Sequence, residues 1–269
     1  MSKGKRIIIP VILAMLVVGI WLGENIRACP MNDMNPAKQL FALRSWFNPN
    51  VVRKVHTKEK LVALTFDDGP DPRYTSQVLD ILKQYQVRAT FFVVGEYVKA
   101  HPELVRKEVV EGHEVENHSY THPDLETDDE IEVIRELEAT QEVLRKTTGS
   151  SPRYLRPPRG LFNNEVVETA ECLGMKTVLW DVGVEHHSCS TPEQMAGRVI
   201  EKAHPGIIIL AHDGRLDRTL TLEALPIVIE GYQKMGYRFV TVTELLKNAT
   251  GDGSVVTQPP SLRLNKKTG

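Results

Sequence analysis

The chain is expected to be an α/β protein built on a parallel sheet, and three observations carry that expectation. Short apolar runs alternate with amphipathic helical stretches from residue 57 to residue 248, the pattern of parallel strands joined by crossover helices. The helical stretches carry start and stop signals at the appropriate ends. Polar, chemistry-bearing residues stand directly after four of the apolar runs, at the sheet edge where such folds build their sites. About seven strand–helix units fit this length, and the pattern suits either a barrel or an open doubly wound sheet.

Strands are expected at 61–66, 89–94, 114–117, 154–156, 177–180, 207–211 and 238–242. Between them, 74–85 places Val78, Leu79, Leu82 and Tyr85 on one helical face. The stretch 102–111 opens on Pro102 and stops at Gly112. Thr127 and Glu130 form a capping-box pattern ahead of a long helix running to about Lys146. The stretch 164–173 ends at Gly174 and 220–235 at Gly236. Thr191, Pro192 and Gln194 combine a cap, a first-position proline and a reciprocal amide.

The termini read differently. Lys3, Lys5 and Arg6 precede an apolar run over 7–23, so residues 1–23 read as an uncleaved membrane anchor with its positive end inside. A cleaved secretory signal is the second reading, though no small-x-small cleavage site is evident and Arg27 fits poorly before Cys29 as a lipid-attachment site. Either way the remainder is expected to be exported: anchored with its catalytic domain outside the cytoplasm, or secreted. Residues 24–56 read as a linker with a short helix at 36–47, and 249–269 as a disordered tail rich in Gly, Ser, Pro and Lys.

Composition excludes some partners. The 269 residues carry a net charge of −2, too weak a field to gather nucleic acid. The acidic run 124–142 reads as a solvated helix face. Three cysteines allow at most one disulfide and are not spaced as metal ligands. Cys172 reads as a small core residue and Cys189 as a loop residue.

Four short motifs carry chemistry. The first, Thr65-Phe66-Asp67-Asp68-Gly69-Pro70, ends a strand on two carboxylates. Neighbouring strand residues point to opposite faces, so Asp67 and Asp68 are free to do different jobs. In the second, His118 and His122 meet on one face if the segment makes a helical turn. Two imidazoles and one carboxylate would make a three-ligand metal site with positions left open. The third, Arg156-Pro157-Pro158-Arg159-Gly160, is stiffened by consecutive prolines, and Arg156 could hold a carboxylate ionised. The fourth delivers His212 at the end of the apolar run 207–211. Singly, each has an ordinary structural explanation: a turn, two surface histidines, a rigid loop, a strand cap.

Together and in this order they resemble the polysaccharide deacetylase family, carbohydrate esterase family 4 or the NodB homology domain. The resemblance covers about 58–246 and extends to Ala89-Thr90-Phe91-Phe92-Val93 and to the segment from Gly112 to His118. It implies a distorted (β/α) barrel with a groove for a glycan. It also implies Asp68, His118 and His122 as metal ligands, Asp67 as general base, Arg156 as the residue holding Asp67, and His212 as general acid. Arg159 stands where the family usually has Tyr, so its backbone N–H is expected to serve the oxyanion without a ring. Leu210 is expected to line the acetyl-methyl pocket. The metal is expected to be Zn²⁺, with Co²⁺ or Ni²⁺ suited to the same ligands.

The chain departs from the family after the fifth strand. The usual Asp-x-x-Asp-Trp is missing, and alignment on Trp180 puts Gly183, His186 and His187 at those positions. Asp181 or Glu185 is then expected to orient His212. The function implied is metal-dependent removal of N-acetyl groups from a glycan containing N-acetylglucosamine, peptidoglycan or a chitin-like oligosaccharide, with release of acetate. The alternatives are an O-acetyl xylan esterase and a catalytically inactive glycan-binding member.

Overall fold

The structure, a computed structural model, describes residues 50–250. The anchor expected over 1–23, the helix over 36–47, Cys29 and the tail beyond residue 250 lie outside these residues. Among the described residues no helix is long and apolar enough to cross a membrane.

Among the described residues nine strands make one sheet: β1 (Val51–Val52), β2 (Leu61–Asp67), β3 (Thr90–Val93), β4 (Glu114–Asn117), β5 (Tyr154–Leu155), β6 (Lys176–Val178), β7 (Val182–Gly183), β8 (Ile207–His212) and β9 (Arg238–Phe239). Their order is β1-β6-β5-β4-β3-β2-β8-β7, with β9 paired to the start of β2. Every pairing is parallel. Eight helices accompany them among the described residues, the last following β9: α1 (Thr75–Gln84), α2 (Gly95–Ala100), α3 (Pro102–Val110), α4 (Glu130–Thr148), α5 (Asn164–Cys172), α6 (Pro192–Ile200), α7 (Thr219–Lys234) and α8 (Val242–Lys247). The sheet is a parallel half-barrel, since no pairing among the described residues joins β1 to β7.

The central strand β2 shows why the site forms where it does. Val62, Leu64 and Phe66 pack outward with Val78, Leu79 and Leu82 of α1 and Val228 and Ile229 of α7. Leu61 and Ala63 face the opposite way, with Phe92, Val178, Ile208 and Val240. Each fully buried aliphatic or aromatic side chain stabilises the fold by about 1.5–3 kcal/mol. The alternation carries Thr65 and Asp67 onto the inner face, where one buried arginine touches both.

Several expectations need correction. Val51 and Val52, placed in the linker, form an edge strand in register with Thr177 and Val178. Val182–Gly183 adds a second unforeseen strand, a piece too short for periodicity to mark. Val242 opens α8 rather than closing a strand, because Thr241 and Glu244 form a capping box there. The long helix begins at Glu130 with Asp129 as its cap, so Thr127 is not the cap. Gln194 accepts a hydrogen bond from Ser190 N–H at 2.9 Å, while Thr191 caps the helix. Cys172 is exposed and is not a core residue; Cys189 lies in a loop.

Candidate active site

The site gathers at the C-terminal ends of β2, β4, β5 and β8. Asp67 is the last residue of β2 and is 3% exposed. Arg156 donates to Asp67 Oδ1 through Nη1 at 2.7 Å. The same nitrogen lies 2.7 Å from Thr65 Oγ1, while Nε and Nη2 donate to the carbonyls of Val178 and Leu179, each at 3.1 Å. The guanidinium is fully buried and lies 4.0 Å from the Phe92 ring centroid. Burial lowers its pKa and Asp67 works against that shift, but a guanidinium stays charged.

Strand alternation stops at Asp67. Asp68 takes a left-handed backbone, φ 73°, so its carboxylate turns toward the same cavity as that of Asp67. His118 Nε2 is 3.9 Å from Asp67 Oδ2 and 3.6 Å from Asp68 Oδ1. The expectation of opposite faces therefore fails, because it assumed extended backbone through Asp68. The loop from β8 to α7 holds this turn. A Cβ on Gly214 would sit 2.0 Å from Asp68 O, and one on Gly69 would sit 2.4 Å from Asp213 Oδ1.

The two imidazoles meet without a helical turn. Ser119 and His122 have φ of 66° and 64°, and the ring centroids are 5.1 Å apart. Tyr120 N–H and Thr121 N–H both donate to Glu136 Oε2 at 2.8 Å, and Thr121 Oγ1 donates to Oε1 at 2.8 Å. Ser119 N–H donates to Asn117 Oδ1 at 2.8 Å. Glu136 belongs to the acidic run expected to face solvent, yet is 7% exposed. Its spacing from Val133, Leu137 and Thr140 puts Glu136 on the buried side of the helix, which sets it apart from the solvated Glu132, Glu138 and Glu142.

Asp68, His118 and His122 offer three buried ligand atoms within 4.8 Å of one another. The donor set fits a divalent ion. His118 Nδ1 lies 2.7 Å from Arg156 O, which accepts only, so Nδ1 carries the proton and Nε2 faces the cavity with a free lone pair. His122 Nε2 stands 3.1 Å from Asp68 Oδ1. Burial pushes the Asp68 carboxyl up, but contact with the two imidazoles more than offsets this and holds it well below the usual range.

His212 ends β8, in register with Asp67 across the sheet. Its Nδ1 is 3.1 Å from Glu185 Oε2, an ion-pair contact without the alignment of a hydrogen bond. His212 N–H and Thr221 Oγ1 both donate to Glu185 Oε1, at 3.2 and 2.7 Å. Burial opposes charging His212, but contact with Glu185 prevails and raises its pKa; Glu185 is correspondingly lowered against its own burial. Of the two candidates for orienting His212, Glu185 is in contact with it. Asp181 instead stands 3.7 Å from His204.

The remaining candidates sit at the rim. Leu210, 5% exposed, lies two residues before His212 on the same face of β8. Arg159 occupies the 3₁₀ turn Pro158–Gly160 with φ 58°, and its guanidinium pairs outward with Asp124. His186 and His187, with ring centroids 4.2 Å apart, line a cleft of about 450 Å³ with Glu185, Asp217 and Leu220.

A parallel half-barrel with an Asp-His-His cluster, an arginine-held aspartate and a carboxylate-paired histidine defines a metal-assisted hydrolase. The profile of the family described as polysaccharide deacetylase matches residues 54–178. The chain is 40% identical over 199 residues to a peptidoglycan-N-acetylglucosamine deacetylase of Bacillus cereus, an alignment spanning 73% of this chain and 93% of that one. It belongs to the polysaccharide deacetylase family. Among solved structures it resembles a pseudoenzyme of the same family from Bacillus anthracis, at TM-score 0.70 and 33% identity, covering 77% of this chain and 72% of that one. It also resembles a family 4 acetyl xylan esterase from Clostridium thermocellum in complex with a cobalt ion, at TM-score 0.66 and 36% identity, covering 70% and 91%.

Proposed function

We propose that the chain is a polysaccharide N-deacetylase that hydrolyses the acetamide of N-acetylglucosamine residues in peptidoglycan or a related glycan. The observation that carries this reading is the pairing of His212 with Glu185, opposite an Arg156-held Asp67. An amine is a poor leaving group and must be protonated as the C–N bond breaks. A histidine whose protonated form is favoured suits that task, and an ester's alkoxide needs it less.

Asp68, His118 and His122 would hold the divalent ion, with Zn²⁺ the ion their chemistry suits best. When bound, such an ion acidifies water and polarises the acetyl oxygen. Asp67 takes a proton from the attacking water, and Arg156 fixes the direction in which that carboxylate points. The Arg159 N–H is assigned to the developing oxyanion, and Leu210 to the acetyl methyl. His212 gives its proton to the departing nitrogen, leaving acetate and a free amine on the sugar. Glu185 supplies what Gly183 cannot, so the altered motif after Trp180 does not by itself imply the inactivity of the Bacillus anthracis pseudoenzyme.

The test is acetate release by the full chain from acetylated chito-oligosaccharides, peptidoglycan and acetylated xylan, with Asp67→Asn as control. Release from the amide substrates, abolished in the control, is expected. Release from xylan alone would make it an esterase, and none from any substrate with metal bound would make it a glycan-binding member. The apolar run over 7–23 supports membrane anchorage and an exported domain. Recovery of the full chain in a soluble cytoplasmic fraction would refute both.

A further inference from the structure

Arg218 lies outside every motif above, yet its side chain reaches the centre of the site. It is 7% exposed, and its Nη2 is 3.2 Å from Asp68 Oδ2. Its Nε donates to Gly214 O at 2.8 Å, which pins the guanidinium to the loop packed on the Asp68 backbone. The two oxygens of Asp68 are thereby divided. Oδ2 is taken by Arg218, while Oδ1 faces both imidazoles, at 3.1 Å from His122 and 3.6 Å from His118.

The division has an electrostatic counterpart. Asp67 is matched by Arg156 and Asp68 by Arg218, so the two carboxylates meet the ion already neutralised. Asp213, which burial pushes up to about 7, adds less than a full negative charge. A divalent ion placed here keeps most of its own charge. Positive charge close to a cation also weakens its binding.

We propose that Arg218 is a positioning residue that holds Asp68 as a one-oxygen ligand and neutralises it, lowering affinity for the ion while keeping the bound ion strongly electrophilic. This rests on the metal-site reading above. Without Arg218, Asp68 is free to offer both oxygens and its full charge. The ion is then bound more tightly, a coordination position is filled, and catalysis per bound ion falls.

The test is calorimetric titration of the metal-stripped full chain with Zn²⁺, beside the visible absorption of its Co²⁺ form. R218Q, which removes the charge, is expected to bind Zn²⁺ about tenfold tighter, with weaker Co²⁺ bands as coordination number rises and with lower kcat. R218K, which keeps the charge, is expected to stay within about fivefold of wild type in Zn²⁺ affinity. Unchanged or weaker binding by R218Q overturns the proposal. Should R218Q not fold, R218K decides alone, and a larger change in its affinity overturns it. Failure of the metal reading itself would look different: the wild type would bind no Zn²⁺, or H118A would bind as well as wild type.

Discussion

One nitrogen of Arg156, Nη1, donates to both Thr65 Oγ1 and Asp67 Oδ1, each at 2.7 Å. Both acceptors belong to the inner face of β2, and the arginine comes from just beyond β5, with its other donors on the carbonyls of Val178 and Leu179. The aspartate thus has its partner fixed from several strands before any substrate arrives. Replacing Arg156 by Met should leave a buried carboxylate uncompensated and cost about 3–5 kcal/mol of stability, read as a drop in the thermal midpoint. Asp67→Asn should keep the fold and lose about 10²–10⁴-fold in kcat. Full activity in that variant would remove Asp67 from the base role.

The contact between Glu185 and His212 sets the expected pH behaviour. Glu185 stabilises the imidazolium and raises the His212 pKa. The acid form is therefore available up to a higher pH than for a free histidine, and is lost as pH rises through the raised value. Glu185→Gln should move the alkaline limb of the kcat/KM profile to lower pH. Asp181→Asn should leave it in place, since Asp181 lies against His204. An unmoved limb in Glu185→Gln would dismiss the assignment.

Removing the ion with a chelator should abolish activity, and adding Zn²⁺ or Co²⁺ should restore it. His118→Ala should lose one of three ligands and most of the Zn²⁺ affinity in a calorimetric titration. Asp67→Asn should bind Zn²⁺ while remaining inactive, which separates the ligand role from the base role. Equal Zn²⁺ binding by His118→Ala and wild type would rule out the three-residue site.

Glu136 holds the histidine loop through two backbone N–H groups and one hydroxyl. Glu136→Gln sets an amide or a neutral oxygen against donors that now meet a carboxylate. A loss of about 1.5–3 kcal/mol is expected, the scale of a hydrogen bond to a charged group. Zn²⁺ affinity should fall with it, because both histidines depend on that loop. Undiminished affinity would show that the loop keeps its shape through its other hydrogen bonds, those of Asn117 and Ser119 and of the backbone among them.

Much of the fold and site was legible in the residues. The alternation of apolar runs and capped helices defines a parallel α/β protein, because both periods follow from backbone geometry. The motifs at strand ends point to Asp67, Asp68, His118, His122, Arg156 and His212, because a site at the C-terminal edge draws its residues from just after each strand. Segments too short to show a period escaped that reading. Val51–Val52 and Val182–Gly183 are strands only because a neighbour's edge pairs with them.

Tertiary structure alone decided which residues share a cavity. Asp68 faces the same space as Asp67 because its backbone turns left-handed under the packed β8–α7 loop, where strand alternation would have sent it away. Glu136 is turned inward although its neighbours in sequence are solvated acids, because the loop bearing the histidines presents unpaired N–H groups to it. Glu185 rather than Asp181 reaches His212, and Arg218 reaches Asp68 across 150 residues of chain. Sequence carries local preference and period; contacts between distant charged groups are set by packing, which no local pattern in the chain encodes.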